Sequence, residues 1–399
     1  MSTTTAAPAP PTRRRSARRQ TQRGGEAIAG WLFTLPAILI IGVFLIAPIA
    51  LALWVSFTDW NGRNSPLFND SVDVVGLENY AAITTDDSLT RELFGRSIRN
   101  NVFYVLLVVP LQTALALFLA VQVNRRLLRA KGFFRTAFYF PSVTSSIAIT
   151  GVFLFLFGAT GVVNRVLGWL SINGPNWFAD PRGVFQIVLG LAGVDGPPAG
   201  WDAPGFLGVS GWEWVAGPSV AQCVLIIMAI FTTSGTFMLL FLAGLQNIGA
   251  EVGEAAVMDG AGPIRTFFSV TLPMLKPTLF TVLTLGLIGT WQVFDQVYLT
   301  RGTPAAPTLT SPAYLAFNQA FENNEPGIAA AIAFVLFLII IAMTLLQRWV
   351  LGERDASGMG TKRERRRRRE RDDREAGLMA EGAVRLQAGP QSTTGGGLT

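Results

Sequence analysis

The chain has no histidine and a single cysteine, Cys223, set inside an apolar run. One cysteine excludes a disulfide within the chain. Without histidine the commonest general base and the commonest transition-metal ligand are missing, which rules out Cys/His zinc sites and Ser-His-Asp triads. Charge is scarce too. Charged residues make up 15% of the 399 positions, against about a quarter in soluble domains. No G-x-x-x-x-G-K-[ST] segment occurs, so the standard P-loop for nucleotide is absent. Any use of ATP falls to a partner. Neither a cofactor nor a metal is expected.

What is present is apolar sequence in long runs. Six stretches meet the length of about 20 residues needed to cross a bilayer: approximately 31–57, 100–123, 137–158, 220–244, 278–299 and 328–350. The fold class read from them is all-α integral membrane, a six-helix transmembrane bundle. The first run follows a basic lead, and Ala50-Leu51-Ala52 resembles a signal-peptide cleavage site. The run is longer than the roughly 7–15 residues of a signal core, so it reads as a retained span, with bends at Pro36 and Pro48. A Gly/Pro/Trp-rich stretch fills 159–219. Its one apolar segment, Val184 to Val194, is too short to span and reads as interfacial or re-entrant. Three regions result: a disordered basic tail over 1–28, a transmembrane domain over 29–350 and a disordered charged tail over 351–399.

Six spans place both ends on one side. Counting the last region from Arg348, 25 of the 32 basic residues fall on that side. The other seven are Arg63, Arg91, Arg96, Arg99, Arg165, Arg182 and Arg301. Basic residues favour the cytoplasmic side, so a plasma-membrane protein with both termini in the cytoplasm is expected. The Arg365–Arg369 run could bind nucleic acid, but Glu364, Glu370, Asp372 and Asp373 interrupt it. Attraction to anionic lipid is the simpler reading, and no nucleic-acid partner is expected.

The most informative stretch lies between the fourth and fifth spans. It reads Glu254-Ala255-Ala256, then Asp259-Gly260, and ends Val270-Thr271-Leu272-Pro273. Good helix formers over 246–259 predict a helix ended by Gly260 in a left-handed conformation. A second short helix would run to about Val270, with Pro273 and Pro277 restarting the chain at the fifth span. Such a helix–turn–helix suits docking into a partner's groove.

This segment resembles the EAA loop of permease subunits of binding-protein-dependent ABC importers. Gly260 stands four residues after Ala256, and nine residues separate it from Val270-Thr271-Leu272-Pro273. Valine in place of the family's isoleucine is the one departure within the motif. Other stretches look like the carbohydrate branch, the maltose and glycerol-3-phosphate type: Trp31–Pro36, Gly76–Tyr80, Phe133–Thr136 and Trp291–Tyr298. Arg301-Gly302-Thr303-Pro304 replaces the expected Gly-Gly-Pro, and the region around 184–215 is longer than in the family. The resemblance implies a second homologous permease subunit, two cytoplasmic ATPase subunits docked on the EAA loops, and an extracytoplasmic solute-binding protein. It assigns coupling to Glu254, Ala255, Ala256, Asp259, Gly260, Leu272 and Pro273. An importer of the same design for polyamine or phosphate is the alternative. A membrane enzyme lacks support because the spans hold no paired acidic residues, and an uncoupled channel would not need the loop.

Polar residues inside spans are costly unless they face a cavity. Thr281, Thr284, Gln292 and Asp295 fall on one face of a continuous fifth helix, with Trp291 beside it. Aromatic faces stack on sugars and carboxylate or amide groups hydrogen-bond them, so Trp291, Gln292, Asp295, Tyr298 and Thr284 are candidate pathway residues. An aromatic belt with a water-facing Asp295 is the competing reading. Thr232, Thr233, Ser234 and Thr236, and likewise Ser142 and Thr144–Ser146, read as helix-packing residues. The basic asymmetry makes a direct prediction: an impermeant thiol reagent added outside labels a cysteine placed near Asp73 or Thr308. Labelling at Ala130 from that side would reverse the topology.

Overall fold

Helix is the regular structure that satisfies the peptide groups of a single apolar segment without help from outside it. The computed structural model describes residues 29–63, 65–67, 72–125, 130–194 and 196–351, and these are helical apart from connections and three isolated β-bridges. Both tails assigned above, 1–28 and the residues beyond Leu351, lie outside the described residues. The described chain divides after Ala342. The larger unit contains everything discussed below, and Met343–Leu351, the end of the last helix, belongs to the second.

Helix α1 (Ala29–Val55) is the first span. It runs through Pro36 uninterrupted but opens into a π turn at Gly42–Ile46, where the Ala47 N–H donates to the Gly42 carbonyl. Pro48 follows one residue later. A proline crowds the carbonyl four residues back and brings no donor, and a widened turn makes room. Only Val55 of α1 is buried. Its C-terminal end is tied down by the Gly76–Tyr80 stretch. Asn79 Nδ2 donates to the Ser56 and Thr58 carbonyls at 3.0 and 2.8 Å, and the Tyr80 hydroxyl lies 2.7 Å from Ser56 Oγ.

The second span begins earlier than the apolar pattern indicates. Helix α2 (Leu89–Asn124) is capped by Ser88 and carries the i,i+4 pairs Arg91–Asp87 and Arg96–Glu92 around its first turns. At about 1.5 Å per residue its 36 residues reach roughly 54 Å, well beyond a hydrocarbon core of about 30 Å. Local capping and ion pairs thus extend the helix outside the membrane. The third span is likewise not the straight helix expected over 137–158. It is a pair, α3 (Lys131–Val143) and α4 (Ser146–Leu156), bent by 95°. Pro141 weakens the last turn of α3, and Thr144 takes an extended ψ of 144°.

The 159–219 region follows on the same side as the start of α2. It contains α5 (Val162–Trp169) and α6 (Val184–Leu191); the latter has eight residues, too few to span. Arg99 of α2 clamps this region: Nε donates to the Glu213 carbonyl at 2.6 Å and an Nη to the Gly217 carbonyl at 2.7 Å. The fourth span, α7 (Val220–Gln246), starts from a Ser219 cap and packs most extensively on α2. Ala116 and Ala120 of α2, with Phe237, Met238 and Phe241 of α7, form one buried cluster; Tyr104, Val108, Val224 and Met228 anchor the other. Beyond it come α8 (Ala250–Met258), α9 (Lys276–Trp291), α10 (Asp295–Thr300), α11 (Pro312–Phe321) and the last span, α12 (Pro326–Leu351). The fifth span, Lys276–Thr300, is therefore broken between α9 and α10.

Close approach of α3 and α7 depends on Gly235. A Cβ there would stand 2.3 Å from the Phe138 carbonyl oxygen and 3.0 Å from Tyr139 Cα, both backbone atoms. Gly235→Ala should force the helices apart at a cost of about 1–3 kcal/mol and lower the melting temperature of the detergent-purified protein. Gly253→Ala, where a Cβ would meet nothing within 4 Å, is the control that should not lower it, since alanine is the better helix former.

Candidate functional site

Two features gather the chemistry singled out above: an exposed helical loop and a pair of polar cavities. The loop starts where Gly249 takes an extended conformation and opens α8, so the helix expected from 246 begins at Ala250 instead. Its end is a complete Schellman turn. The Ala261 N–H donates to the Ala256 carbonyl and the Gly260 N–H to the Val257 carbonyl, with Gly260 at φ +75°. Pro263 then opens the next helical turn, Pro263–Thr266. Contrary to the expected restart at Pro273, the helix continues through a π turn, Phe267–Thr271, into Leu272–Met274. The Leu272 N–H reaches back to the Phe267 carbonyl. As before Pro48, the surplus residue relieves the crowding that proline imposes. The chain turns at Leu275, which is buried, and Pro277 sits in the first turn of α9.

Glu254, Ala255, Asp259, Gly260 and Pro273 are exposed, Leu272 is half-buried and Ala256 is buried. Four large apolar side chains stand out beside them: Val257, Met258, Ile264 and Phe268, between 63% and 87% exposed. Apolar side chains in this density on a rigid turn form a surface that gains free energy when covered.

The cavities lie between α2, α3, α4, α7 and the broken fifth span. One, of about 300 Å³, is bordered by Ser142, Thr144 and Ser146 at the α3–α4 elbow. The other, of about 260 Å³, is bordered by Tyr104 and Gln112 of α2 and by Thr290, Gln292, Phe294 and Asp295. Thr232, Thr233, Phe237 and Gln296 border both. The break at Gln292–Phe294 carries Gln292 and Asp295 into the second cavity. It also undoes the continuous face on which Thr281, Thr284, Gln292 and Asp295 would align. Trp291 is buried at 3% exposure and lines neither cavity; its carbonyl accepts from Asn101 Nδ2 at 3.4 Å. Thr284 donates to the Phe280 carbonyl and also lies off both linings. Tyr298 belongs to an aromatic group with Phe294, Tyr314 and Phe317, with the Arg301 guanidinium 4.0 Å above its ring centre.

Sequence reading missed Gln112, Thr290 and Gln296 as lining residues. A glutamine in the apolar run of the second span was the available signal. Thr232 and Thr233 do bond to carbonyls of their own helix, as packing residues would, yet they also border the cavities. Among the described residues no group of three His, Cys, Asp or Glu side chains could hold a metal ion.

Residues 112–352 match the family of binding-protein-dependent transport system inner membrane components. The chain is 33% identical over 333 residues to the lactose transport system permease protein of Rhizobium radiobacter, covering 82% of this chain and 95% of that protein. It is 30% identical over 325 residues to the trehalose/maltose transport system permease protein of Thermococcus litoralis, covering 80% and 92%. Its fold matches the crystal structure of a bacterial ABC transporter involved in the import of the acidic polysaccharide alginate, with a TM-score of 0.63 and 18% identity over 84% of this chain and 99% of that one.

The loop geometry yields a test of its own. A Cβ at Gly260 would meet nothing within 4 Å, so a side chain costs only backbone strain, about 1–2 kcal/mol for L-residues in the left-handed region. Gly260→Val should loosen the turn and speed tryptic cleavage at Arg265. Gly260→Asn should do so less, and Gly262→Ala, at a φ of −69°, not at all. Equal cleavage in all three variants would show that the turn does not depend on this glycine.

Proposed function

This chain belongs to the binding-protein-dependent transport system inner membrane components, and we propose that it is the permease subunit of an ATP-driven ABC importer for a neutral carbohydrate. Relatives matched over 95% and 92% of their own length carry lactose and trehalose/maltose permease names. The cavity linings support a neutral solute. Hydroxyl and amide groups predominate, Asp295 is the one carboxylate, and no lysine or arginine borders either cavity among the described residues. Phosphate would need cations there, and a polyamine several carboxylates. Asp295, Gln292 and Phe294 are the residues of the fifth span proposed to meet the solute, with Tyr298 in the aromatic group above them. Trp291 and Thr284 act behind them, in the packing of that span.

The observation that carries the coupling role is the Schellman-closed loop with its exposed Val257, Met258, Ile264 and Phe268. In this reading residues 29–350 form the permease domain, with both termini cytoplasmic. One ATPase subunit docks on the loop through Glu254, Ala255, Asp259 and Gly260, with Ala256 closing the turn that ends α8. Leu272 and Pro273 carry the displacement into the fifth span. A second, homologous permease with its own ATPase completes the pathway, and a solute-binding protein delivers the sugar from outside. ATP binding acts by favouring one of two packed arrangements of the helices, so the loop must move as a unit.

Gly260→Val and Glu254→Lys test this. Both variants should insert normally, yet recover about fivefold less ATPase on co-purification, the factor that about 1 kcal/mol supplies, and take up sugar correspondingly slowly. Wild-type ATPase recovery and uptake in both would remove the loop from the coupling role.

A further inference from the structure

Gln112 sits 24 residues into α2 and is 1% exposed. Its amide is held by Thr233 of α7, whose Oγ lies 2.5 Å from Gln112 Oε1 and 2.7 Å from the Ala229 carbonyl oxygen. The other end of the amide, Nε2, makes no hydrogen bond among the described residues. It faces Gly286 of α9, where a Cβ would stand 2.5 Å from Nε2. Both residues border the 260 Å³ cavity. A buried polar group left without a partner costs about 1–3 kcal/mol. With no side chain at position 286, Nε2 can lie against that backbone, at the edge of the cavity both residues border.

The threonine has one proton for two acceptors. If Gln112 Oε1 takes it, the amide offers an N–H donor to the cavity. If the Ala229 carbonyl takes it, the amide turns, donates to Thr233 and offers its carbonyl. A ligand group that serves both cases must donate and accept, which a hydroxyl does and an ammonium or carboxylate does not.

We propose that Gln112, positioned by Thr233 and accommodated by the missing side chain at Gly286, is a specificity-determining residue that hydrogen-bonds one hydroxyl of the transported carbohydrate in the membrane. The inference rests on the carbohydrate reading above. It adds the second span to a site that sequence placed on the fifth alone.

The test uses cells carrying the whole importer, with initial uptake of 14C-labelled lactose, maltose and trehalose at saturating concentration, normalised to permease in the membrane. Monodeoxy derivatives of the sugar carried best are then compared with the parent. The wild type should carry one monodeoxy derivative about tenfold more slowly than the parent, the order of one lost hydrogen bond. Gln112→Leu should slow the parent about tenfold and abolish that discrimination. Gly286→Ala should act alike, since its Cβ displaces only the flexible end of Gln112 and leaves the backbone alone. It also carries the test if Gln112→Leu fails to accumulate. The double variant should be no slower than Gln112→Leu, because both remove one interaction. Unchanged discrimination in both single variants overturns the inference and leaves the importer reading standing. Multiplicative loss in the double variant overturns it too, by making the gap a steric matter. No uptake by the wild type of these three sugars or of a wider panel of neutral mono- and oligosaccharides overturns the carbohydrate reading and this inference with it.

Discussion

A peptide group without a hydrogen bond costs several kcal/mol in hydrocarbon, so a membrane span is interrupted only where other groups take up what the helix releases. Two spans of this chain are interrupted, and both interruptions border the cavities. In the fifth span the freed Trp291 carbonyl accepts from Asn101 on the second span. The freed Val293 carbonyl accepts from the Ser311 hydroxyl at 2.7 Å. The third span breaks among hydroxyls, with Thr144 bonded back to the Phe140 carbonyl. The polar lining and the irregular backbone are thus one arrangement. The side chains that make a cavity wettable also make its walls possible.

Sequence legibility follows the same line. Span number and position, the exposed loop and the left-handed Gly260 depend on local features: run length, helix formers, a glycine at the right offset. The fifth-span break depends on donors about 190 and 18 residues away, and the segment Trp291–Asp295 contains neither glycine nor proline to announce it. A continuous helix was therefore the natural reading, and it put Trp291 on a face it does not occupy. Pro273 misled for the opposite reason. Proline is a reliable local signal of a stop, but one extra residue in the preceding turn lets the helix pass. The early start of α2 was legible in principle, from Ser88 and the i,i+4 pairs, and was hidden only by a search for apolar length.

At the end of the bundle where α2 begins, two anchors explain sequence features that carry no chemistry of their own. Asn79 and Tyr80 of the Gly76–Tyr80 stretch fasten the chain leaving α1, and Arg99 fastens the long 159–219 region to the second span. Asn79 and Arg99 work by side-chain donors on backbone carbonyls, a contact that holds a loop without requiring a matching side chain, and Tyr80 adds a bond to the Ser56 hydroxyl. The length of the 159–219 region is compatible with the fold because the clamp grips its C-terminal part, near the start of α7. Phe178, upstream of that grip, also packs into the buried cluster that holds Tyr104 and Val224.

The near-isolation of α1 has a consequence for sequence tolerance. From residue 29 to 54 no side chain of this helix is buried within the chain's own fold, so inside this subunit it contributes through transfer into the bilayer and not through packing. Substitutions there are judged by transfer into the bilayer, one residue at a time, and add to changes in the body without coupling to them. Ala116, closed in on every side, answers to shape and to its neighbours. Within one chain, then, two criteria operate: composition alone at the first helix, and three-dimensional fit in the rest.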